Sequence, residues 1–175
     1  MQTEMIQGLG LEGTPYPIEK LDAHQRDIRH VALSVFLFDG QKLLLQQRAI
    51  GKYHSGGLWA NSCCSHPRWQ EDVGNAARRR LGEELGISTP LTHMGELDYH
   101  ADVGGGLSEN EHVHVFHGRY QGPLRPNPEE VMATRWITVP DLQREIEAAP
   151  EKFTAWLRIY CRQHSGLTLE IGNLF

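Results

Sequence analysis

Histidines and glutamates of this chain have the types and spacing of a metal site. Glu109 and Glu111 are two residues apart, so an extended backbone would direct both carboxylates to one face, where they repel each other unless a cation lies between them. Three histidines are candidate partners: His24, His30 at the start of an apolar strand pattern, and His66 after a cysteine pair. Three imidazoles and two carboxylates suit Mn²⁺, Zn²⁺ or Fe²⁺, and suit Mg²⁺ less well. Taken singly, each histidine would be an ordinary surface or core side chain.

The cysteine pair offers a second kind of chemistry. Cys63 and Cys64 lie in the segment NSCCSHP, and the chain has three cysteines in all. A metal clamp, half of a disulfide, a redox pair and one working thiol are the alternatives, although neighbouring cysteines do not readily bridge each other. Adjacent residues of an extended segment point to opposite faces, so one thiol at most can face a substrate. His66 has the parity of Cys64, which favours Cys64 as that thiol.

Hydrophobic periodicity predicts the elements that position these residues. Residues 30–38 alternate as a strand buried on both faces, Asp39-Gly40 is a two-residue turn signal, and 41–48 return as the partner strand, so a β-hairpin is expected to open the fold. A helix is predicted over 69–85, with Gly86 as its stop. Strands at 111–120 and 134–139 and helices opened by Pro140 and by Pro150 complete the pattern. This order predicts the α+β class, as an α/β/α sandwich with a mixed sheet.

Composition limits the function classes. The 175 residues are 39% hydrophobic and 22% charged, which predicts a single domain over residues 1–175 with one active site. A net charge of −5 argues against a nucleic-acid partner. The longest apolar run is too short to cross a bilayer, and the first ten residues lack the pattern of a signal peptide, so no membrane partner and a cytoplasmic location are expected. We expect a monomer, with a homo-oligomer as the alternative.

The predicted helix carries an acid on its apolar face. Glu84 shares that face with Ala77 and Leu81, which is costly unless the carboxylate meets a cation or a metal. A surface ion pair with Arg80, four residues earlier, is the simplest explanation. The segment also resembles the Nudix box, whose helix carries metal-binding glutamates, at Glu71, Arg79, Glu83, Glu84 and Gly86. Ser65 replaces the first glycine of that box and Arg80 replaces its central glutamate, which argues against pyrophosphate hydrolysis.

Five separated motifs resemble one branch of that superfamily, the type I isopentenyl-diphosphate Δ-isomerases. They are KLDAH, QRAIGK, LWANSCCSHP, SENE and APEKFTAWL, and the resemblance runs from about residue 4 to residue 160. It implies a Nudix fold that interconverts isopentenyl and dimethylallyl diphosphate, in isoprenoid biosynthesis, by adding and removing a proton. By the same resemblance, Cys64 and Glu111 are the proton-transfer residues and Tyr99 assists the glutamate. Tyr99 as an ordinary strand aromatic is the alternative.

The resemblance also implies the ligands of two cations. A divalent metal, Mn²⁺ or else Zn²⁺ or Mg²⁺, would be held by His24, His30, His66, Glu109 and Glu111, and a Mg²⁺ carried by the diphosphate would touch Glu84. Matching positions for the diphosphate itself are Lys20, Arg48, Lys52 and Arg80, four cations in an acidic protein.

Trp156 has the type of side chain that a carbocation requires. Protonation of an alkene develops positive charge, and an indole face stabilises a cation without attacking it. Trp156 also belongs to a helical apolar stripe that core packing alone would explain.

The run Gly104–Gly106 is either a hinge for a closing segment or a plain turn.

Two other functions fit parts of the pattern. One is a Nudix hydrolase of a nucleoside diphosphate derivative, which Arg80 disfavours. The other is a metal-stabilised binding module without catalysis, which is disfavoured because the acid, base, cation-stabilising and diphosphate positions are all filled.

Overall fold

The computed structural model of the chain describes residues 4–163. Residues 1–3 and 164–175, the two ends of the predicted domain, lie outside the described part. The strands are β1 (Met5–Leu9), β2 (Pro15–Glu19), β3 (His30–Asp39), β4 (Lys42–Arg48), β5 (Trp59–Ala60), β6 (Cys63–Ser65), β7 (Thr92–Gly104), β8 (Leu107–Arg119) and β9 (Val131–Thr138). The α-helices are α1 (Lys20–Gln25), α2 (Val73–Leu85), α3 (Val139–Ala148) and α4 (Ala155–Gln163). Within residues 4–163, no helix combines the length and the apolar character needed to cross a membrane.

The nine strands of the described chain form one mixed sheet with β3 near its centre. Strand β3 runs parallel to β8, so that His30 lies opposite Glu111. It also pairs antiparallel with β6, with Ser34 opposite Cys64. Strand β4 continues the sheet through β9 and β5, and β7 extends it beyond β8. The parallel pairing of β3 with β8 thus brings together candidate residues that are some eighty positions apart in the chain.

Helices cover both faces of this sheet. Helix α2 packs Ala77, Leu81 and Leu85 against one face of β3, including Leu33 and Val35. Helices α3 and α4 cover the other face through side chains that include Leu142, Ile146, Trp156, Leu157 and Tyr160. The predicted α+β class, with an α/β/α sandwich and a mixed sheet, is confirmed.

The predicted β3–β4 hairpin is present but differs from the prediction in three respects. An earlier hairpin, β1 with β2, precedes it. Its two-residue turn is Gly40–Gln41 instead of Asp39-Gly40, and its ladder holds only Phe38 opposite Leu43 and Asp39 opposite Lys42. Beyond that tip the strands separate, because β3 pairs with β6 and β8 while β4 pairs with β9 and β5.

Two helix boundaries also differ from the prediction. Helix α2 begins at Val73 instead of residue 69, because the Asp72 carboxylate caps it by accepting from the Asn75 amide at 2.9 Å. Its end at Gly86, with φ 67°, is as predicted. Pro150 opens only a short 3₁₀ turn, and α4 begins at Ala155, after the Thr154 amide has donated to the Trp59 carbonyl at 2.9 Å.

The sequence did not indicate β7, the longest missed element. Its thirteen residues are mostly polar or partly exposed, because β7 borders the sheet and pairs with β8 alone among the described strands. Gly104–Gly106, the candidate hinge, connect β7 to β8 as a tight turn in which all three residues have positive φ. Positive φ angles favour glycine, so these three residues form the plain turn that was the alternative to a hinge.

Candidate active site

A cavity lies between α4, α2 and the loop after β4. Its walls contain most of the residues selected from the sequence, namely Lys20, Arg48, Lys52, Cys64, His66, Arg80, Glu84, Tyr99, Glu109, Glu111 and Trp156. His24 and His30 are fully buried behind this wall, within contact distance of Glu109. All thirteen selected side chains therefore meet in one place, although they come from eight separate segments of the chain.

The imidazoles and carboxylates converge as the sequence predicts for a metal site. Ligand atoms of His24, His30, His66 and Glu109 all lie within 4.8 Å of one another. His24 Nε2 is 3.1 Å from Glu109 Oε2, and His30 Nε2 is 3.2 Å from His66 Nε2. Glu111 lies beside this group, with its Oε1 2.9 Å from His66 Nε2.

The hydrogen bonds of the cluster fit a divalent cation. His24 Nδ1 donates to the Lys20 carbonyl at 2.6 Å, and His30 Nδ1 donates to the Ile28 carbonyl at 2.7 Å. A carbonyl only accepts, so in each neutral ring Nε2 has a free lone pair directed into the cluster. Glu109 Oε2 is buried there without a hydrogen-bond partner. Lone pairs and a carboxylate oxygen that face one another in the interior match the donor set of a bound metal.

The surroundings of Glu109 and Glu111 shift the pKa values of the two carboxyl groups in opposite directions. Burial and the charge of Glu109 raise the pKa of Glu111 above its usual value. Burial also opposes ionisation of Glu109, but the hydrogen bonds that His24, His30 and His54 donate to it when they are protonated lower the pKa of that carboxyl. Of the two neighbouring acids, Glu109 thus keeps its charge more readily, and Glu111 accepts a proton more readily.

The two cysteines point to opposite faces, as the sequence predicts. Cys63 is fully buried in the core beneath α2, whereas Cys64 lines the cavity. The Cys64 thiol donates to Asn61 Oδ1 at 2.9 Å and lies 3.1 Å from Ser34 Oγ. Burial raises the pKa of the Cys64 thiol to about 12, so the protonated form is favoured.

Tyr99 and Trp156 are the two candidate aromatic residues that line the cavity. Tyr99 lies opposite Glu111 in the β7–β8 ladder, and burial together with the charges of Glu111 and Glu109 raises the pKa of its phenol. Trp156, on α4, is 2% exposed. Its ring centroid is 5.3 Å from the Arg48 guanidinium carbon, so the indole already faces a cation. Both aromatics also belong to the core, which was the alternative for each.

The four candidate diphosphate ligands all line the cavity. Each forms contacts within the protein: Lys20 Nζ with Glu4 at 3.0 Å, Arg80 Nη2 with Glu84 at 2.6 Å, Lys52 Nζ with Glu130, and Arg48 Nη2 with the His54 carbonyl at 3.2 Å. The Arg80–Glu84 ion pair, the alternative to a metal-binding role for Glu84, is therefore present, but it is largely buried instead of at the surface and lines the cavity. Gln46 Nε2 donates to the other Glu84 oxygen at 2.8 Å.

His54 is a site residue that the sequence analysis missed. It lines the cavity from the loop after β4, and its Nε2 is 3.0 Å from Glu109 Oε1. Tyr53, next to it, places its hydroxyl 3.5 Å from His24 Nε2. An irregular loop has no hydrophobic periodicity that would indicate where its side chains point. The only available signal was the position of this histidine two residues after Lys52 in a recognised motif.

A buried polar chain behind Cys64 was also missed. Ser34 Oγ is 2.9 Å from the Tyr160 hydroxyl, and Asn61 Nδ2 donates to the Val35 carbonyl at 3.0 Å. Ser34 is the one hydroxyl within the apolar run of β3, and that was the sequence signal for it. Asn61 has the opposite parity to Cys64, so the spacing along the chain does not predict their contact.

Comparison with known proteins agrees with this geometry. The NUDIX domain model matches residues 28–157. "Isopentenyl-diphosphate Delta-isomerase" of Cereibacter sphaeroides (strain ATCC 17029) is 51% identical over 165 residues, 93% of each chain, and that of Rhodobacter capsulatus is 52% identical over 167 residues, 94% of each chain. A crystal structure of a Deinococcus radiodurans protein superposes with a TM-score of 0.73 at 16% identity, over 96% of this chain and 99% of the other, and so supports the fold alone. The chain belongs to the NUDIX domain family and, within it, to the isopentenyl-diphosphate Delta-isomerases.

Proposed function

We propose that this chain interconverts isopentenyl and dimethylallyl diphosphate by adding a proton at C4 and removing one from C2. The observation that carries the proposal is the position of Cys64 and Glu111 in the wall of one cavity that four cationic side chains also line. Relatives that match this chain over more than nine-tenths of its length have the corresponding name.

Cys64 and Glu111 transfer the protons in this proposal. Asn61 orients the thiol, whose raised pKa favours the protonated form. Burial and the charge of Glu109 raise the pKa of Glu111 to about 7, so this carboxyl can gain or lose a proton near neutral pH. A positioned acid or base contributes about 10²- to 10⁴-fold to the rate. Tyr99 lies opposite Glu111 in the sheet and supports that carboxyl.

His24, His30, His66, Glu109 and Glu111 would hold a divalent cation. Nitrogen and carboxylate donors favour Mn²⁺ or Zn²⁺, with Mg²⁺ as a further candidate. When bound, the cation balances the two carboxylates and tunes the acidity of Glu111. The fixed Nδ1 hydrogen bonds of His24 and His30 keep both rings aimed at this position in advance.

Lys20, Arg48, Lys52 and Arg80 bind the diphosphate in this proposal, and Glu84 meets the Mg²⁺ that a diphosphate carries. Their existing partners, Glu4, Glu130 and Glu84, hold three of these cations in place before substrate arrives. Trp156 would stabilise the positive charge that develops on protonation, by about 2 kcal/mol once water is excluded.

Hydrolysis is the disfavoured alternative. Arg80 occupies the position of the central glutamate of the Nudix box and forms ion pairs with Glu83 and Glu84. A cation at that place binds phosphate oxygens and does not activate water.

One experiment separates these functions. The protein is incubated with isopentenyl diphosphate in D₂O with Mn²⁺ and Mg²⁺, and NMR follows dimethylallyl diphosphate, deuterium incorporation and free phosphate. We expect deuterated dimethylallyl diphosphate without phosphate release. Phosphate without isomer would identify a hydrolase, and the absence of both products would leave only a binding module.

A further inference from the structure

A second cluster of metal-binding side chains lies on the β7–β8 ladder, away from the cavity. His93 and Glu96 belong to β7 and His114 belongs to β8, and their ligand atoms lie within 4.8 Å of one another. His114 Nδ1 is 3.3 Å from His93 Nε2 and 3.3 Å from Glu96 Oε1. His114 and Glu111 have opposite parity on β8, so the cluster occupies the face of the sheet opposite to the candidate active site.

A β-bulge creates this convergence. Glu96 lies directly opposite His114, but residues 93 and 96 would point to opposite faces of a regular strand. Between His93 and Gly95 the register advances by two residues on β7 and by one on β8. The extra residue, Met94, reverses the alternation and turns His93 to the face of Glu96. Gly95 permits this turn with φ 138°.

We propose that His93, Glu96 and His114 bind one Zn²⁺ at the surface. Two imidazoles and one carboxylate form the ligand set of open zinc sites, with solvent in the remaining position, whereas Mg²⁺ and Ca²⁺ prefer oxygen ligands. His93 and Glu96 are exposed, so an ion reaches them directly from solvent. The second Glu96 oxygen contacts His112 Nε2 at 3.0 Å, which orients the carboxylate from outside the cluster.

Zinc at this position connects an edge strand to its neighbour. Strand β7 pairs with β8 alone among the described strands, and Tyr99 on β7 faces Glu111 on β8. A bridge from His93 and Glu96 to His114 restrains the part of β7 that lacks a second partner. The zinc does not reach the cavity, because the sheet itself lies between them.

Zinc stoichiometry of the full chain tests this proposal. Wild type, His93→Ala, His114→Ala and the control His100→Ala are titrated with Zn²⁺ against a chromophoric chelator. His100 is an exposed β7 histidine that contacts Asp27 and not the cluster. Wild type and His100→Ala should bind one zinc more per chain than His93→Ala and His114→Ala. Isomerase activity with Mn²⁺ and Mg²⁺ should equal that of wild type in all three variants, since none of these residues lines the cavity.

Amide hydrogen exchange provides an independent readout. Zinc should slow exchange in residues 92–97 of wild type and of His100→Ala, but not of His114→Ala. Glu96→Gln, which keeps the size of the side chain, replaces any alanine variant that fails to fold. Equal zinc stoichiometry and equal exchange in all variants would overturn the proposal and leave the cluster as a hydrogen-bonded surface network.

Discussion

Among single residues, the two adjacent cysteines should differ most clearly in how their substitution affects activity. Cys64→Ala should lower kcat by about 10²- to 10⁴-fold, because it removes a positioned proton-transfer group. Cys63→Ala should retain most of the activity, because that thiol is buried beneath α2 and does not reach the cavity. Steady-state kinetics with isopentenyl diphosphate measures both. An inactive Cys63→Ala beside an active Cys64→Ala would reverse the assignment.

His54 should influence the metal site without belonging to the predicted ligands. His54→Ala removes the contact between Nε2 and Glu109 Oε1 at 3.0 Å, and the loss of such a supporting contact weakens metal affinity by about 10- to 100-fold. His54→Gln, which retains an N–H donor, should restore part of that affinity. Electron paramagnetic resonance of free Mn²⁺ measures binding independently of turnover. His100→Ala serves as the control, and unchanged affinity in His54→Ala would assign His54 a packing role only.

Among the secondary-structure elements, helix α2 and its end contain two glycines whose substitution by alanine should change the free energy of unfolding in opposite directions. Gly86 ends the helix with φ 67°, and a Cβ there would lie 2.8 Å from Arg125 Cβ. Gly86→Ala should therefore lower the free energy of unfolding by about 1–2 kcal/mol from its backbone conformation alone. Gly82→Ala, within the helix and with no contact nearer than 3.9 Å, should raise it by up to about 1 kcal/mol. Urea denaturation measures both changes. If Gly86→Ala proved as stable as Gly82→Ala, the left-handed cap would not stabilise α2.

At the scale of the whole molecule, removing the metal should lower thermal stability. The buried carboxylates and imidazoles converge from α1, β3, β8 and the segment after β6, so a bound ion connects four parts of the fold. A free metal concentration about 100 times Kd stabilises the folded state by about 2.7 kcal/mol. For a chain of this size each kcal/mol changes Tm by about 2–4 °C.

Calorimetry with and without a chelator, followed by addition of Mn²⁺, measures this change. His66→Ala, which removes one proposed ligand, should show a much smaller metal-dependent shift than wild type. An equal shift in both proteins would place the stabilising ion elsewhere.

Local patterns in the sequence determined several elements of the fold and which side chains share one face of a strand. Alternation identified β3 and placed Glu109 with Glu111 and Cys64 with His66, because neighbouring positions on a strand follow fixed geometry. The five motifs supplied the family and nine of the thirteen candidate residues of the site, and the Nudix-box helix, the start of the first apolar strand and the wider resemblance supplied Arg80, Glu84, His30 and Tyr99. The sequence also placed the stop of α2 at Gly86, because a left-handed cap favours glycine.

Tertiary structure decided the features that depend on contacts between distant segments. The β3–β8 pairing sets His30 opposite Glu111, and the loop after β4 brings His54 to Glu109. Asn61 reaches the Cys64 thiol, and a bulge turns His93 toward Glu96. None of these contacts follows from spacing, because long-range strand pairing, irregular loops and bulges each reset the direction of a side chain. The sequence thus determined which chemical groups are available, and the packing of the sheet determined which of them meet.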